Sequence, residues 1–269
     1  FASMGDAGDL MNINQFVHTQ NEKWPWHGYA LAAHILRILS TFLGAGSLIF
    51  RYLAGRLLWP ADSYRALLAA ALVAFLPQYN FHHAAVTNDS LIIFLISAAL
   101  WQLIRMWQIE VTRGRLLLLG LTIGAAALTK NTGLTLLLYA AGFLLLLAVR
   151  EVSARGEAPG QSEPSGLYGW RMLVWTVLLV VLPTLLMAGW VWARNLALYD
   201  DFTAMNQFVR LAGGDRNYKL WQVLLESRGL WLSSFAIFGW FNIRAPNWVY
   251  WFWSGLAILA LIGAGWRFL

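Results

Sequence analysis

The sequence predicts an all-α, polytopic integral membrane protein of about seven transmembrane helices. Hydrophobic residues make up 59% of its 269 residues and charged residues only 12%, against about 45–50% and about 25% in a soluble domain. The charges cluster, which leaves runs of about 18–25 apolar residues, the length of a spanning helix. The short alternating segments of a β-barrel are missing. The net charge is +6, but no basic cluster sits in a nucleic-acid-binding fold, so nucleic acid is set aside as a partner. With no cysteine, disulfides, thiolate metal sites and cysteine nucleophiles are excluded. The first residue is Phe1, so the start reads as internal or processed, and no signal-peptide pattern opens the chain.

Residues 1–26 form a polar, outward-facing segment with Asp6, Asp9, Glu22 and Lys23. Residues 27–193 hold helices one to six. The first three are expected near Tyr29–Leu53, Ala66–Phe81 and Leu91–Trp107. The run Leu116–Arg150 is too long for one span and breaks at Thr129-Lys130-Asn131-Thr132-Gly133, giving the fourth and fifth. A Gly/Pro/Ser/Glu linker at 151–170 precedes the sixth, Met172–Trp192. Residues 194–246 read as an outward-facing loop, amphipathic near Leu220–Phe238, and 247–269 as helix seven. No internal repeat is visible.

Charge in the short loops orients the bundle. Arg51, Arg56, Arg65, Arg105, Arg113, Arg115, Arg150, Arg155, Arg171 and Arg267 flank one side, and only Lys130 the other, ten against one. The Arg-rich side is expected to be cytoplasmic.

Candidate chemistry gathers on the opposite side. In His82-His83-Ala84-Ala85-Val86-Thr87-Asn88-Asp89-Ser90, Asp89 opens the third helix. It reads either as a helix cap or as a carboxylate that orients a hydroxyl acceptor or a divalent metal ion. Asn88-Asp89-Ser90 also matches a glycosylation sequon. Adjacent histidines point about 100° apart on a helix, which disfavours joint ligation by His82 and His83. Lys130 is either a snorkelling side chain or a cation for a phosphate headgroup. His34 and Arg37 share a face, with Arg37 about 12 Å into the first span, where a charge marks a functional site or an interhelical structural pair. A pigment-ligating role for His34 rests on a single histidine. Arg194 and Asn195 follow Trp190 and Trp192, read as interfacial belt residues, within reach of a lipid phosphate. Asp200 and Asp201 read as solvated loop residues.

Four pieces carry a resemblance: His34-Ile35-Leu36-Arg37-Ile38-Leu39-Ser40, Pro77-Gln78 leading to Val86-Thr87-Asn88-Asp89, Ala127-Leu128-Thr129-Lys130-Asn131-Thr132-Gly133, and Trp192-Ala193-Arg194-Asn195-Leu196-Ala197-Leu198-Tyr199, with Phe238-Gly239-Trp240 beside them. In this order they resemble the GT-C superfamily of polyprenyl-phosphate-sugar-dependent membrane glycosyltransferases, in its protein mannosyltransferase and aminoarabinose transferase branch. The resemblance implies a GT-C-like fold in the plasma (inner) membrane of a bacterium and inverting transfer of a sugar from a lipid phosphate at the outer leaflet. Asp89 maps onto the acidic position of the second outer loop, the expected catalytic base. Lys130, Arg194 and Arg37 would meet the phosphate, and Asn88, Asn195 and His83 complete the expected substrate-binding set. The family's principal acid lies in its first outer loop, so the chain is expected to be a fragment that begins inside that loop and lacks the first helix and the C-terminal part. Asp6 and Asp9 fall in that stretch. Two other readings compete: a non-catalytic scaffold subunit docked on protein partners in a larger membrane complex, and a transporter of lipid-linked sugars, which would favour inverted repeats.

Overall fold

The structure is a computed structural model and describes residues 2–3, 16–17, 23–157, 169–212, 219–239 and 243–266. Asp6, Asp9, Glu22, Trp240 and most of the 151–170 linker lie outside the described residues. The chain is all-α apart from two short antiparallel pairs. These are β1 (Ala2–Ser3) with β2 (Phe16–Val17), and β3 (Ile237–Phe238) with β4 (Ile243–Arg244). The helices are α1 (Gly28–Leu58), α2 (Ser63–Ala74), α3 (Pro77–Ala84), α4 (Asp89–Gln108), α5 (Arg113–Thr129) and α6 (Leu134–Glu157). They continue as α7 (Gly169–Thr176), α8 (Leu182–Tyr199), α9 (Met205–Ala212), α10 (Leu220–Ser233) and α11 (Asn247–Trp266).

Five helical stretches are long and apolar enough to cross a membrane: Gly28–Leu58, Asp89–Gln108, Asn131–Arg150, Arg171–Tyr199 and Asn247–Trp266. The other two expected spans are shorter. α5 has 17 residues. The second expected span is broken at Leu76–Pro77 into α2 and α3, of 12 and 8 residues. Proline disfavours helical backbone at the residue before it, and Leu76 is extended. Together the two pieces amount to about 30 Å of helix, the thickness of the hydrocarbon core. α6 runs to Glu157, past the expected start of the linker. Before Pro183 the sixth span carries a π-helical turn, Val177–Val181, a local adjustment to the missing proline N–H.

Helices approach closely where side chains are small. The buried face of α1 carries Ser40, Gly44, Ser47 and Gly55 and packs on α2, α3 and α4. α5 packs on the sixth span through Gly120, whose Cα faces the backbone of Leu179 and Val180. The main apolar core lies among α4, α5, α6 and the sixth span, around Met106, Leu119, Ile123, Leu144 and Met172. Many other apolar side chains are exposed, including Phe42, Leu138, Leu186 and Leu261, as expected of surfaces that face lipid. Trp192 belongs instead to a second cluster with Ala127 and Ala188. It stacks near Phe202, centroids 5.0 Å apart, and is 4% exposed. It is therefore a core residue and not a belt residue.

Depth follows from the α1–α4 register. A Cβ on Gly46 would lie 2.7 Å from Phe94, and Phe50 meets both Phe94 and Trp101, so the two helices run parallel. Phe94 lies about 7.5 Å along α4 from Asp89. The Asp89 end of α4 is therefore level with α1 near Thr41, and Arg37 lies about 6 Å above that level, not below it. Arg51 lies about 15 Å further along α1. There it donates to Ser47 Oγ at 2.8 Å and sits over the Tyr79 ring.

The glycine contacts give a stability test. Gly133→Ala and Gly120→Ala would drive a Cβ into the backbone of Ala126 and Leu179, whereas Gly142 and Gly189 have open space. The first two are expected to lose about 1–3 kcal/mol, read as a lower Tm in detergent. Gly142→Ala and Gly189→Ala should melt like the wild type.

Candidate functional site

The bundle brings its polar connections together at one end. α5 ends at Thr129, Lys130 is extended, and a single 3-10 turn, Asn131–Gly133, leads into α6. That turn allows close passage because Gly133 packs on the Ala126 backbone. It aims Lys130 at the start of α4, where Nζ donates to Asp89 Oδ1 at 2.6 Å. Beside it Asn88 Nδ2 donates to Thr129 O at 3.3 Å. Asn88 holds the N-cap position of α4 without a side-chain capping bond. The Asp89 carboxylate is 26% exposed and Lys130 40%. An ion pair this accessible contributes about 1 kcal/mol or less to stability, so the fold does not rest on it.

The second Asp89 oxygen faces His82 Nδ1 at 3.7 Å. His82 is oriented by Gln78, one turn earlier on α3. Gln78 Oε1 accepts the Ile237 N–H at 2.8 Å, which leaves its amide nitrogen to donate to His82 Nε2 at 3.2 Å. Nε2 is thus the acceptor, and the ring proton resides on Nδ1, toward Asp89. The backbone N–H of Gln78 also donates to Phe235 O at 2.9 Å. The β3–β4 hairpin is therefore pinned to α3, and through α3 to the carboxylate.

The other expected site residues are placed differently. His83 is 5% exposed and turns into α1, with Nδ1 at 3.2 Å from Ser40 O. Its Cγ leaves no room for a side chain at position 44. Of the two histidines it is His82 that faces Asp89. Asn195 is buried and donates to Phe202 O at 3.4 Å, while Asn131 donates to Thr203 O at 2.7 Å. These two amides hold the 201–204 turn against the Lys130 turn. Arg194 is exposed at the end of α8. Arg37 is exposed on α1 and has no ion-pair partner among the described residues. His34 donates from Nδ1 to Ala30 O and stacks on Trp26, centroids 3.7 Å apart, so it does not pair with Arg37.

A metal finds few donors here. No group of three or more His, Asp or Glu side chains that could hold one occurs among the described residues. Asp89 is already engaged by a cation, and only His82 stands beside it. Asp89 and His82 alone do not supply the donor set of a metal site.

Asp201, expected to be a solvated loop residue, organises the turn. Its Oδ2 accepts the Asn206 N–H at 2.7 Å, and its Oδ1 accepts the Thr203 N–H and hydroxyl at 3.0 and 3.1 Å. The Asn206 bond first, then those from Thr203, hold the carboxyl below its ordinary value of 3.8. A depressed folded pKa means that the turn is stabilised above the unfolded value and loses that stabilisation as pH falls through the folded one. Hydrogen-exchange protection of residues 203–206 should persist from neutral pH through 3.8 and drop only below it. In Asp201→Asn it should be weakened already at neutral pH, and equal protection in the variant would contradict the assignment.

Residues 25–158 match the family model described as dolichyl-phosphate-mannose-protein mannosyltransferase, a stretch that contains Arg37, His82, Asp89 and Lys130. Comparison with curated proteins found no match, and comparison with solved structures found none either. With its membrane-crossing helices and this match, the chain is a multi-pass membrane protein that belongs to the GT-C superfamily of membrane glycosyltransferases.

Proposed function

We propose that the chain transfers a sugar from a polyprenyl-phosphate carrier to a hydroxyl acceptor at the outer leaflet of a bacterial inner membrane, with Asp89 as the general base. The observation that carries this reading is the partly exposed Asp89 carboxylate, held between Lys130 and His82 at one end of the bundle, inside the segment that matches the mannosyltransferase family. The orientation rests on the arginines at the opposite end, where Arg113 lies over Trp175 and Arg150 over Trp107.

In the proposed step, Asp89 takes the proton of the acceptor hydroxyl. The freed oxygen attacks the anomeric carbon, and the bond from that carbon to the phosphate oxygen breaks. The electron pair leaves with the lipid phosphate, and the configuration inverts. Positioned base catalysis of this kind contributes roughly 10²–10⁴-fold. Charge develops on the departing phosphate, and cations aimed at it stabilise the transition state. Lys130 is adjacent to the base, and Arg194 and Arg37 are the further cations proposed to meet the phosphate. Lys130 is bound to Asp89, and a phosphate that draws the ammonium away would leave the carboxylate free to act. The His82 Nδ1 faces the second carboxylate oxygen at 3.7 Å.

The full-length protein, reconstituted with a panel of polyprenyl-phosphate sugars, tests this. Asp89→Asn is expected to lose roughly 10²–10⁴-fold in rate, and Lys130→Ala to lose most of its transfer as well. Both should melt near the wild-type temperature, since the pair contributes little to stability. No transfer from any donor, or transfer indifferent to both changes, would overturn the reading and favour a scaffold role.

A further inference from the structure

A cleft with a volume of about 330 Å³ lies between α10, β4 and the first half of α11. One face of α10 supplies Arg228, Trp231 and Leu232, spaced three and four residues apart. One face of α11 supplies Asn247, Tyr250, Trp251 and Ser254, and β4 adds Arg244. Trp231 Nε1 donates to Ser254 Oγ at 2.9 Å and closes the floor. Tyr250 is buried, and its hydroxyl donates to Ala236 O while accepting the Ala245 N–H. The cleft walls are thus fixed on both sides. Two guanidiniums share this small volume, and among the described residues neither is paired with a carboxylate.

We propose that this cleft binds the phosphate headgroup of a membrane lipid. Two guanidiniums without a carboxylate partner among the described residues, on apolar and aromatic walls, select a compact anion. The rest of the ligand is indicated by what continues from the cleft. Asn247 begins α11 at the Asp89 end of the bundle, and Ser254 lies about 10 Å further along the helix, so the cleft spans headgroup and upper hydrocarbon depth. Below it, Ile258, Leu261 and Ile262 are exposed on α11, a surface for a hydrocarbon chain. Trp251, 77% exposed, is the kind of residue that sits at the membrane interface. The site is independent of the transferase reading. It is nonetheless joined to Asp89 by a continuous path: Arg244 pairs with Ile237 across the hairpin, Ile237 holds Gln78, and Gln78 holds His82.

The test is lipid binding by the full-length protein in detergent, read by native mass spectrometry and thermal shift, with phosphatidic acid, phosphatidylcholine and inorganic phosphate as separate probes. Phosphatidic acid is expected to bind and raise Tm. Arg228→Gln and Arg244→Gln are each expected to weaken it roughly tenfold, and the Lys variants to retain binding. Both arginines are exposed, so the variants should fold, which an unshifted lipid-free Tm will verify. Lys130→Ala should bind phosphatidic acid as the wild type does. Binding unaffected by the arginine changes, or abolished by Lys130→Ala instead, would overturn the assignment. Equal stabilisation by inorganic phosphate, or by phosphatidylcholine, would overturn it in favour of a free-anion site or of plain hydrocarbon contact.

Discussion

Within hydrocarbon no water is present to satisfy a polar atom, so each one needs a partner inside the protein. That constraint accounts for most of the buried detail. At the Leu76–Pro77 break the Gln78 N–H turns to Phe235 O, and Ala74 O accepts instead from the Asn80 side-chain amide at 2.9 Å. Ser97, Thr122, Thr176 and Thr184 bond back to carbonyls one turn earlier, and Gln102 reaches Thr122 across the α4–α5 contact. Arg51, with no carboxylate partner among the described residues, is met by Ser47 and the Tyr79 ring. Two buried side-chain atoms among the described residues escape the rule, His83 Nε2 and Gln102 Oε1.

The same constraint shapes the site. Asp89 lies where α4 begins, and its partners come from two other connections. Lys130 arrives because the α5–α6 turn is tight, and the turn is tight because position 133 has no Cβ. His82 arrives with a defined tautomer because Gln78 is held by a peptide N–H 159 residues later in the chain. A carboxylate with a cation on one oxygen and an imidazole N–H near the other is oriented before any ligand binds, which is what a positioned base requires. Gln78, itself 9% exposed, acts on Asp89 only through His82.

Local signals in the sequence exposed part of this. A lone lysine beside a glycine in a 35-residue apolar run marks a break, and an acid after Thr-Asn marks a helix start. Asp89 and Lys130 were therefore legible, as was the common end they share. Three features were not. The choice between His82 and His83 depends on the rotation of α3, which Pro77 sets and which hydropathy does not report. The depths of Arg37 and Arg51 depend on the register of α1 against α4, a long-range packing result. The cleft of Arg228 and Arg244 depends on two helices and a hairpin within a segment that reads as one mixed loop. Asn195 and Asp201 illustrate the same limit. Their residue types suit a ligand site, yet turn chemistry engages both, which only their hydrogen bonds reveal.

The length of α1 bears on how the site meets the membrane. Its 31 residues make about 46 Å of helix, more than a bilayer core of about 30 Å accommodates by tilting within 40°. Since Thr41 is level with Asp89, the first twelve residues of α1 rise about 18 Å past the carboxylate. That stretch is not a water-facing helix, because Tyr29, Leu31, Ile35 and Leu36 are all exposed on it. Each would be costly in water, at about 25 cal/mol per Å² of apolar surface. Trp24 and Tyr29, 77% and 73% exposed near its start, suit the interface itself. Lipid is therefore the expected neighbour of this face of α1, which carries Arg37 about one turn above the level of the carboxylate. A lipid phosphate in the adjoining leaflet would then reach Lys130 laterally from the bilayer, without first leaving it.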